Sequence, residues 1–138
     1  MWQKILVVLW KGISYVAARF LYGPFSRLCR WLFESKYKTL PTDMPWVASK
    51  VLDFFKKCQW VADAAGGVID IISKPERFFE TKKGDCDEFA AFASKVLSYR
   101  SFILSVTWLN PKNKWFKKFK GHNVCVYFYQ NKWWHISN

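Results

Sequence analysis

The chain has 138 residues, of which 51% are hydrophobic and 20% aromatic, and its formal charge at pH 7 is +12. This length fits one domain with a modest core, and the hydrophobic content excludes an intrinsically disordered chain. The strong positive charge predicts an anionic partner such as a phospholipid surface, a nucleic acid or a cell-wall polymer, with solubility as the alternative.

The N-terminal segment carries much of this charge, since residues 1–38 have seven basic side chains and one acidic. Residues 2–22 predict an amphipathic helix, and residues 25–37 predict a second basic helix after a break at Gly23-Pro24. The charge-free runs of this segment reach only seven residues, so we expect neither a transmembrane span nor a signal peptide. Residues 1–40 are therefore predicted to be a basic amphipathic appendage, either peripheral on an anionic membrane through residues 1–38 or packed on the rest of the protein.

A linker at residues 40–45, rich in turn formers, separates this appendage from a second region, residues 45–138. Helical periodicity runs over residues 46–63 and again from Cys86 to Tyr99, with a charged loop from Glu80 to Gly84 before the second helix. Three β-rich segments follow, and the last two are joined by a hairpin turn at Gln130-Asn131. Helices followed by an antiparallel sheet predict an α+β fold.

The four cysteines show neither a CxxC pair nor the spacing of a zinc site. Cys29 and Cys58 fall in apolar helical patterns and Cys125 in a strand, which favours free thiols and no structural disulfide. No metal or organic cofactor is predicted.

Cys86 stands apart from the other cysteines because it lies where a loop becomes a helix. Asp85 is a predicted N-cap with Glu88 as its capping-box partner. The helix N-terminus favours a thiolate, whereas nearby carboxylates, including that of Asp87, disfavour it. The two aspartates predict that Cys86 lies close to solvent. His122, which opens an aromatic strand, is the predicted base.

Three motifs carry a family resemblance, which covers roughly residues 45–138. They are Gly84-Asp85-Cys86-Asp87-Glu88-Phe89-Ala90, the strand Gly121-His122-Asn123-Val124-Cys125-Val126-Tyr127, and the terminal Lys132-Trp133-Trp134-His135-Ile136-Ser137-Asn138. They resemble the transglutaminase-like superfamily, and most closely the bacterial transglutaminase-like cysteine proteinases. The resemblance implies a papain/transglutaminase-like core, in which the nucleophile helix packs on a small antiparallel sheet. It also implies a cysteine peptidase or acyltransferase that acts on peptide or glutamine-type amides through a thioester.

The third catalytic residue is less clearly defined by the motifs. The family normally has an aspartate there, and the corresponding position falls on Asn138 or, one residue earlier, on Ser137. We assign Cys86, His122 and Asn138 as the catalytic residues. An NlpC-type cell-wall endopeptidase with Cys86, His122 and His135 is one alternative. A catalytically inactive, membrane-associated binding protein on the same fold is the other, and nucleic-acid binding is disfavoured because no base-reading motif is present.

Overall fold

The computed structural model describes residues 2–17, 20–21, 23–62, 72–109 and 119–138. The elements in chain order are α1 (Trp2–Ala17), α2 (Gly23–Phe33), α3 (Ala48–Phe55), β1 (Gln59–Trp60), α4 (Pro75–Thr81), β2 (Lys83–Gly84), α5 (Cys86–Val96), β3 (Ser101–Leu109), β4 (Phe119–Tyr129) and β5 (Lys132–Ile136). Helices precede a sheet made of the last three strands, so the fold belongs to the predicted α+β class.

The main sheet is antiparallel with the strand order β3-β4-β5. Ser101 pairs with Tyr127 at one end of the β3–β4 ladder, and Cys125 pairs with Ile136 at the end of the β4–β5 ladder. Gln130 and Asn131 form the two-residue turn between β4 and β5, with φ values of 50° and 58°. Both values suit the left-handed turns that close hairpins, so the predicted hairpin is confirmed.

One face of this sheet packs against α5. Cys125, Tyr127 and Ile136 are buried on that face. On the opposite face, to which alternate residues of each strand point, most of the described side chains are exposed, while His122, Val124 and Val126 are half-buried. This outer face is apolar and includes Phe102, Leu104, Val106, Phe128 and Trp133.

The core beside α5 is built mainly from aromatic rings. Phe92 of α5 is fully buried, and its ring contacts those of Trp46, Phe54, Phe78 and Phe79 at centroid distances of 4.8–6.0 Å. Most of these pairs are tilted or edge-to-face, the arrangement that favours ring packing. The core thus joins α3, α4 and α5 into the platform that carries Cys86.

Several predicted element boundaries are wrong, among them the end of α5, which lies at Val96 rather than Tyr99. The helix expected over residues 46–63 ends at Phe55, because the backbone N–H of Gln59 donates to the carbonyl of Lys82 and starts a short parallel pairing of β1 with β2. The predicted loop from Glu80 to Gly84 instead contains the end of α4 and the strand β2. Residue 63, the last position of the helix expected over residues 46–63, and residues 110–118, which precede β4, lie outside the described residues.

The N-terminal segment contacts the second region through the end of α2. The Nε of Arg30 donates to the carbonyl of Ile72 at 2.6 Å, and the N–H of Lys74 donates to the carboxylate of Glu34 at 2.8 Å. Glu34 is only 6% exposed. Within the described ranges, no helix has the length and apolar character needed to cross a bilayer.

Candidate functional site

The N-terminus of α5 has the capping box that the sequence predicts. The side chain of Asp85 accepts a hydrogen bond from the N–H of Asp87 at 2.9 Å, and the side chain of Glu88 accepts one from the N–H of Asp85 at 2.9 Å. This reciprocal arrangement satisfies backbone donors that a helix start otherwise leaves open. It fixes Cys86 as the first residue of the helix.

Glu88 has a second structural role that is not visible in the motif. Its side chain is 2% exposed and also accepts a hydrogen bond from the backbone N–H of Ser73 at 2.9 Å. The pKa of Asp85 is raised to about 7, mainly by burial and also by the charge and hydrogen bond of Glu88, while the Asp87 N–H acts to lower it. The two carboxyl groups therefore interact closely beneath the helix start.

Gly84 is required by the close approach of the chain to this buried carboxyl. A Cβ atom added at Gly84 would lie 2.6 Å from the Cβ of Glu88 and 3.0 Å from a ring carbon of Phe78. Contacts this short do not occur between real side chains, so a larger residue would displace Glu88. The glycine thus allows strand β2 to run directly against the first turn of α5.

The Cys86 thiol is half-buried and interacts with the side chain that follows it. Its Sγ lies 3.6 Å from an oxygen of the Asp87 carboxylate, to which the thiol donates. Burial raises the pKa of Cys86 to about 11, and the charges of Asp87 and Asp85 also raise it, while the backbone N–H of Asn123 lowers it. In this resting arrangement the thiol is protonated at neutral pH.

Asp87 is buried, contrary to the expectation that both aspartates keep this region near solvent. It is 6% exposed, and the side-chain amide of Asn123 donates a hydrogen bond to the same oxygen that accepts from the thiol. A buried carboxylate is tolerated when such donors satisfy it. Asn123 is the site residue that the sequence analysis missed, and its place directly after His122 was the available signal.

His122 lies in β4 opposite Val106 of β3. Because Asn123 points toward α5, the alternation of the strand directs the His122 side chain to the other face of the sheet. Among the residues that the structure describes, no hydrogen bond joins the Cys86 thiol to the His122 ring. The backbone of His122 is nonetheless close to the sulfur, since the peptide group between His122 and Asn123 supplies the N–H that acts on Cys86.

The candidates for the third catalytic residue lie at or beyond the end of β5. Asn138 is exposed and, with Ser137, lines a cavity of about 460 Å³ whose wall also includes Cys58 and Phe89. Phe89 belongs to the first turns of α5, so this cavity lies near the helix end that carries the thiol. His135 pairs with Val126, and alternation places it on the sheet face that His122 also occupies.

Three potential metal ligands meet at the helix start. One ligand atom each from Asp85, Cys86 and Asp87 lies within 4.8 Å of the others. Both carboxylates already accept protein hydrogen bonds, Asp85 from the N–H of Asp87 and Asp87 from Asn123. The helix cap and the hydrogen bond to β4 therefore explain why these three side chains lie close together.

A scan against known protein families finds no match for this chain, and neither the curated proteins nor the solved structures contain a significant relative.

Proposed function

We propose that this protein is a thiol-dependent acyl-transfer enzyme, a cysteine peptidase or acyltransferase with Cys86 as its nucleophile. The observation that carries the proposal is that the neighbours of Cys86 in the motif each have a structural role. Gly84 allows close packing, Asp85 and Glu88 cap the helix, Asp87 binds Asn123, and Phe89 and Ala90 are buried in the core. The half-buried Cys86 thiol makes only a long hydrogen bond, at 3.6 Å, to the Asp87 carboxylate, which already has the Asn123 amide as a donor.

The surroundings of Cys86 also favour acyl chemistry. The thiol lies at a helix N-terminus, where the dipole stabilises negative charge, and the Asn123 N–H adds a further donor. The helix that carries Cys86 packs on a three-stranded antiparallel sheet, which is the arrangement that a papain/transglutaminase-like core requires. The substrate would be a peptide or glutamine-type amide.

In the proposed reaction, His122 takes the thiol proton as the sulfur attacks the amide carbonyl. A C–S bond forms, the C–N bond breaks, and the amine leaves with the proton that His122 returns. Water or a second amine then cleaves the thioester. Strand alternation directs the His122 ring to the opposite face of the sheet, so this step requires a rearrangement of β4 at His122 that brings the ring to Cys86.

The edge of β4 leaves room for this movement. Strand β5 ends at Ile136, which pairs with Cys125, so the ladder on that side stops before it reaches His122. We assign the orienting role to Asn138, with Ser137 as the neighbouring possibility. An NlpC-type endopeptidase would use His135 instead, and substitution separates the two, because only the true orienting residue lowers the acylation rate when it is replaced by alanine.

Acylation by p-nitrophenyl acetate tests the proposal on the full chain. Burial raises the pKa of Cys58 to about 11 as well, so unassisted Cys58 and Cys86 should react similarly. We expect mass mapping to find the acetyl thioester on Cys86 in preference to Cys58. His122→Ala should slow acylation of Cys86 by at least about a hundredfold.

The matched control is Cys58→Ser, which should leave the rate unchanged, whereas Cys86→Ser should abolish it. Equal acetylation of the four cysteines, or a His122→Ala variant with the wild-type rate, would contradict the proposal. A catalytically inactive binding protein on the same fold would give either of these two results.

A further inference from the structure

Helix α2 (Gly23–Phe33) turns its polar side toward the protein. Ser26 and Glu34 are buried, and Arg30 donates to the carbonyl of Ile72. These three residues recur at every fourth position and so form one stripe along the helix axis. Hydrogen bonds from Lys74 and the nearby guanidinium of Arg77 hold Glu34 in place, which fixes the orientation of the helix end.

The apolar residues of α2 consequently face outward. Trp31 and Phe33 are each 70% exposed. A helix packed on a core has the opposite arrangement, with apolar residues inside. A contiguous apolar surface on a helix whose polar side is already bound marks an interaction site. We call this surface the outward face of α2, and it consists of Phe25, Leu28, Trp31, Leu32 and Phe33.

The charges around the outward face have one sign. Glu34 is the only acidic residue among residues 1–38, and its carboxylate is turned into the protein. Lys11, Arg27, Lys36 and Lys38 are exposed. The surface that this segment presents to solvent therefore combines apolar side chains with positive charge alone.

Helix α1 (Trp2–Ala17) repeats the same combination. Among the side chains of α1 that the structure describes, the exposed apolar ones lie three or four positions apart and so share one face of the helix; they are Ile5, Val8, Leu9, Ile13 and Val16. Neither helix is long and apolar enough to span a bilayer. A helix of this kind lies in the plane of a membrane interface with its apolar side among the acyl chains.

We propose that residues 1–38 bind the surface of an anionic phospholipid bilayer through the outward face of α2 and the apolar face of α1. The lysines and arginines would contact lipid phosphates, and the apolar side chains would enter the boundary between headgroups and acyl chains. A nucleic acid would neutralise the charges and leave the apolar residues in water, so lipid accounts for more of the observations. The proposal is independent of the thiol chemistry.

Flotation with vesicles tests this binding on the full chain. We expect the chain to float with vesicles containing phosphatidylglycerol and to bind pure phosphatidylcholine vesicles much more weakly. The combined variant Leu28→Gln, Trp31→Gln, Leu32→Gln should bind anionic vesicles at least about tenfold more weakly. The matched control, Leu104→Gln with Val106→Gln and Trp133→Gln, removes three exposed apolar side chains from the outer sheet face and should float like the wild type.

A second variant tests the charges without altering the apolar surface. Lys36→Glu with Lys38→Glu should weaken binding to anionic vesicles and reduce its sensitivity to salt. Wild-type flotation of the outward-face variant, or equal binding to neutral vesicles, would overturn the proposal. A third result would also overturn it: the wild type does not float and is a dimer, and the outward-face variant is a monomer. A second copy of the chain would then cover the outward face of α2.

Discussion

The Cys86 thiol experiences two opposing electrostatic influences. The helix N-terminus and the Asn123 N–H favour the thiolate, whereas burial and two carboxylates favour the thiol. Burial and the carboxylates prevail in the resting structure, since the pKa of Cys86 rises to about 11. A nucleophile in this state depends on a base during attack rather than on a preformed ion pair.

The reactivity of Cys86 toward an alkylating agent should follow this raised pKa. Only the thiolate reacts, so we expect the rate of Cys86 alkylation by iodoacetamide to rise about tenfold per pH unit up to about pH 11. Asp87→Asn removes one of the charges that raise the pKa and keeps an acceptor for Asn123. It should increase the rate at pH 8 roughly three- to tenfold.

Site-resolved mass spectrometry measures both rates. The control is Asp53→Asn, which changes an exposed carboxylate of α3 and should have no effect on Cys86. A Cys86 that titrates below pH 9 would show that a histidine already assists the thiol before substrate binds.

The close packing at Gly84 predicts that a larger residue there lowers the stability of the protein. Gly84→Ala forces the new Cβ against Glu88 and Phe78, so we expect the free energy of unfolding to fall by about 1–3 kcal/mol. The matched control is Gly121→Ala, because the nearest atom to a Cβ at Gly121 is the Val106 carbonyl oxygen at 3.7 Å. Urea unfolding should show little change for the control, and equal losses in both variants would contradict the packing argument.

At the scale of the element, the start of α5 links stability to pH through Asp85. The pKa of Asp85 is raised to about 7 in the folded protein, above its ordinary value near 4. The folded state therefore binds this proton more tightly than the unfolded state. The contribution of Asp85 is fully present below about pH 4 and is lost as the pH rises through about 7.

Asp85→Asn isolates this effect, because asparagine keeps an N-cap acceptor but does not titrate. We expect the variant to gain stability relative to the wild type as the pH rises from 4 to 8, as measured by urea unfolding at each pH. A difference that stays constant with pH would show that Asp85 has an ordinary pKa. Asp53→Asn again serves as the control.

The elements differ in how well the sequence predicts them. The cap of α5 and the turn at Gln130-Asn131 follow from local chemistry, since their determinants lie within four residues. The end of α3 depends on a backbone pairing between Gln59 and Lys82, and its sequence pattern continues beyond that point. The contact of Asn123 with Asp87 spans 36 residues, so local sequence patterns do not specify it.

The orientation of α2 could not be predicted either. Its pattern is compatible with apolar residues facing the core or facing outward, and both interpretations were open. The choice is made by a partner 40 residues away, the backbone N–H of Lys74, which binds Glu34. Side-chain periodicity identifies the two faces of a helix but not which of them the rest of the chain covers.

For the whole molecule, stability depends on the aromatic core beneath Cys86. Phe92 is fully buried and meets rings from α3 and α4, so Phe92→Ala should lower the free energy of unfolding by about 3–5 kcal/mol. The control is Phe102→Ala on the exposed sheet face, for which we expect less than about 1 kcal/mol. Urea unfolding measures both, and similar losses would mean that the outer sheet face is covered in solution.

The anchoring of α2 through Glu34 also has a consequence for the order of events during synthesis. Lys74 is added to the chain 40 residues after Glu34. At about 5–20 residues per second, the ribosome needs roughly 2 to 8 seconds to make that stretch. Throughout this interval helix α2 has already been made, while the Lys74 N–H that will bind Glu34 does not yet exist. If residues 1–38 bind lipid as proposed, a membrane near the ribosome would therefore meet α2 before the rest of the protein could.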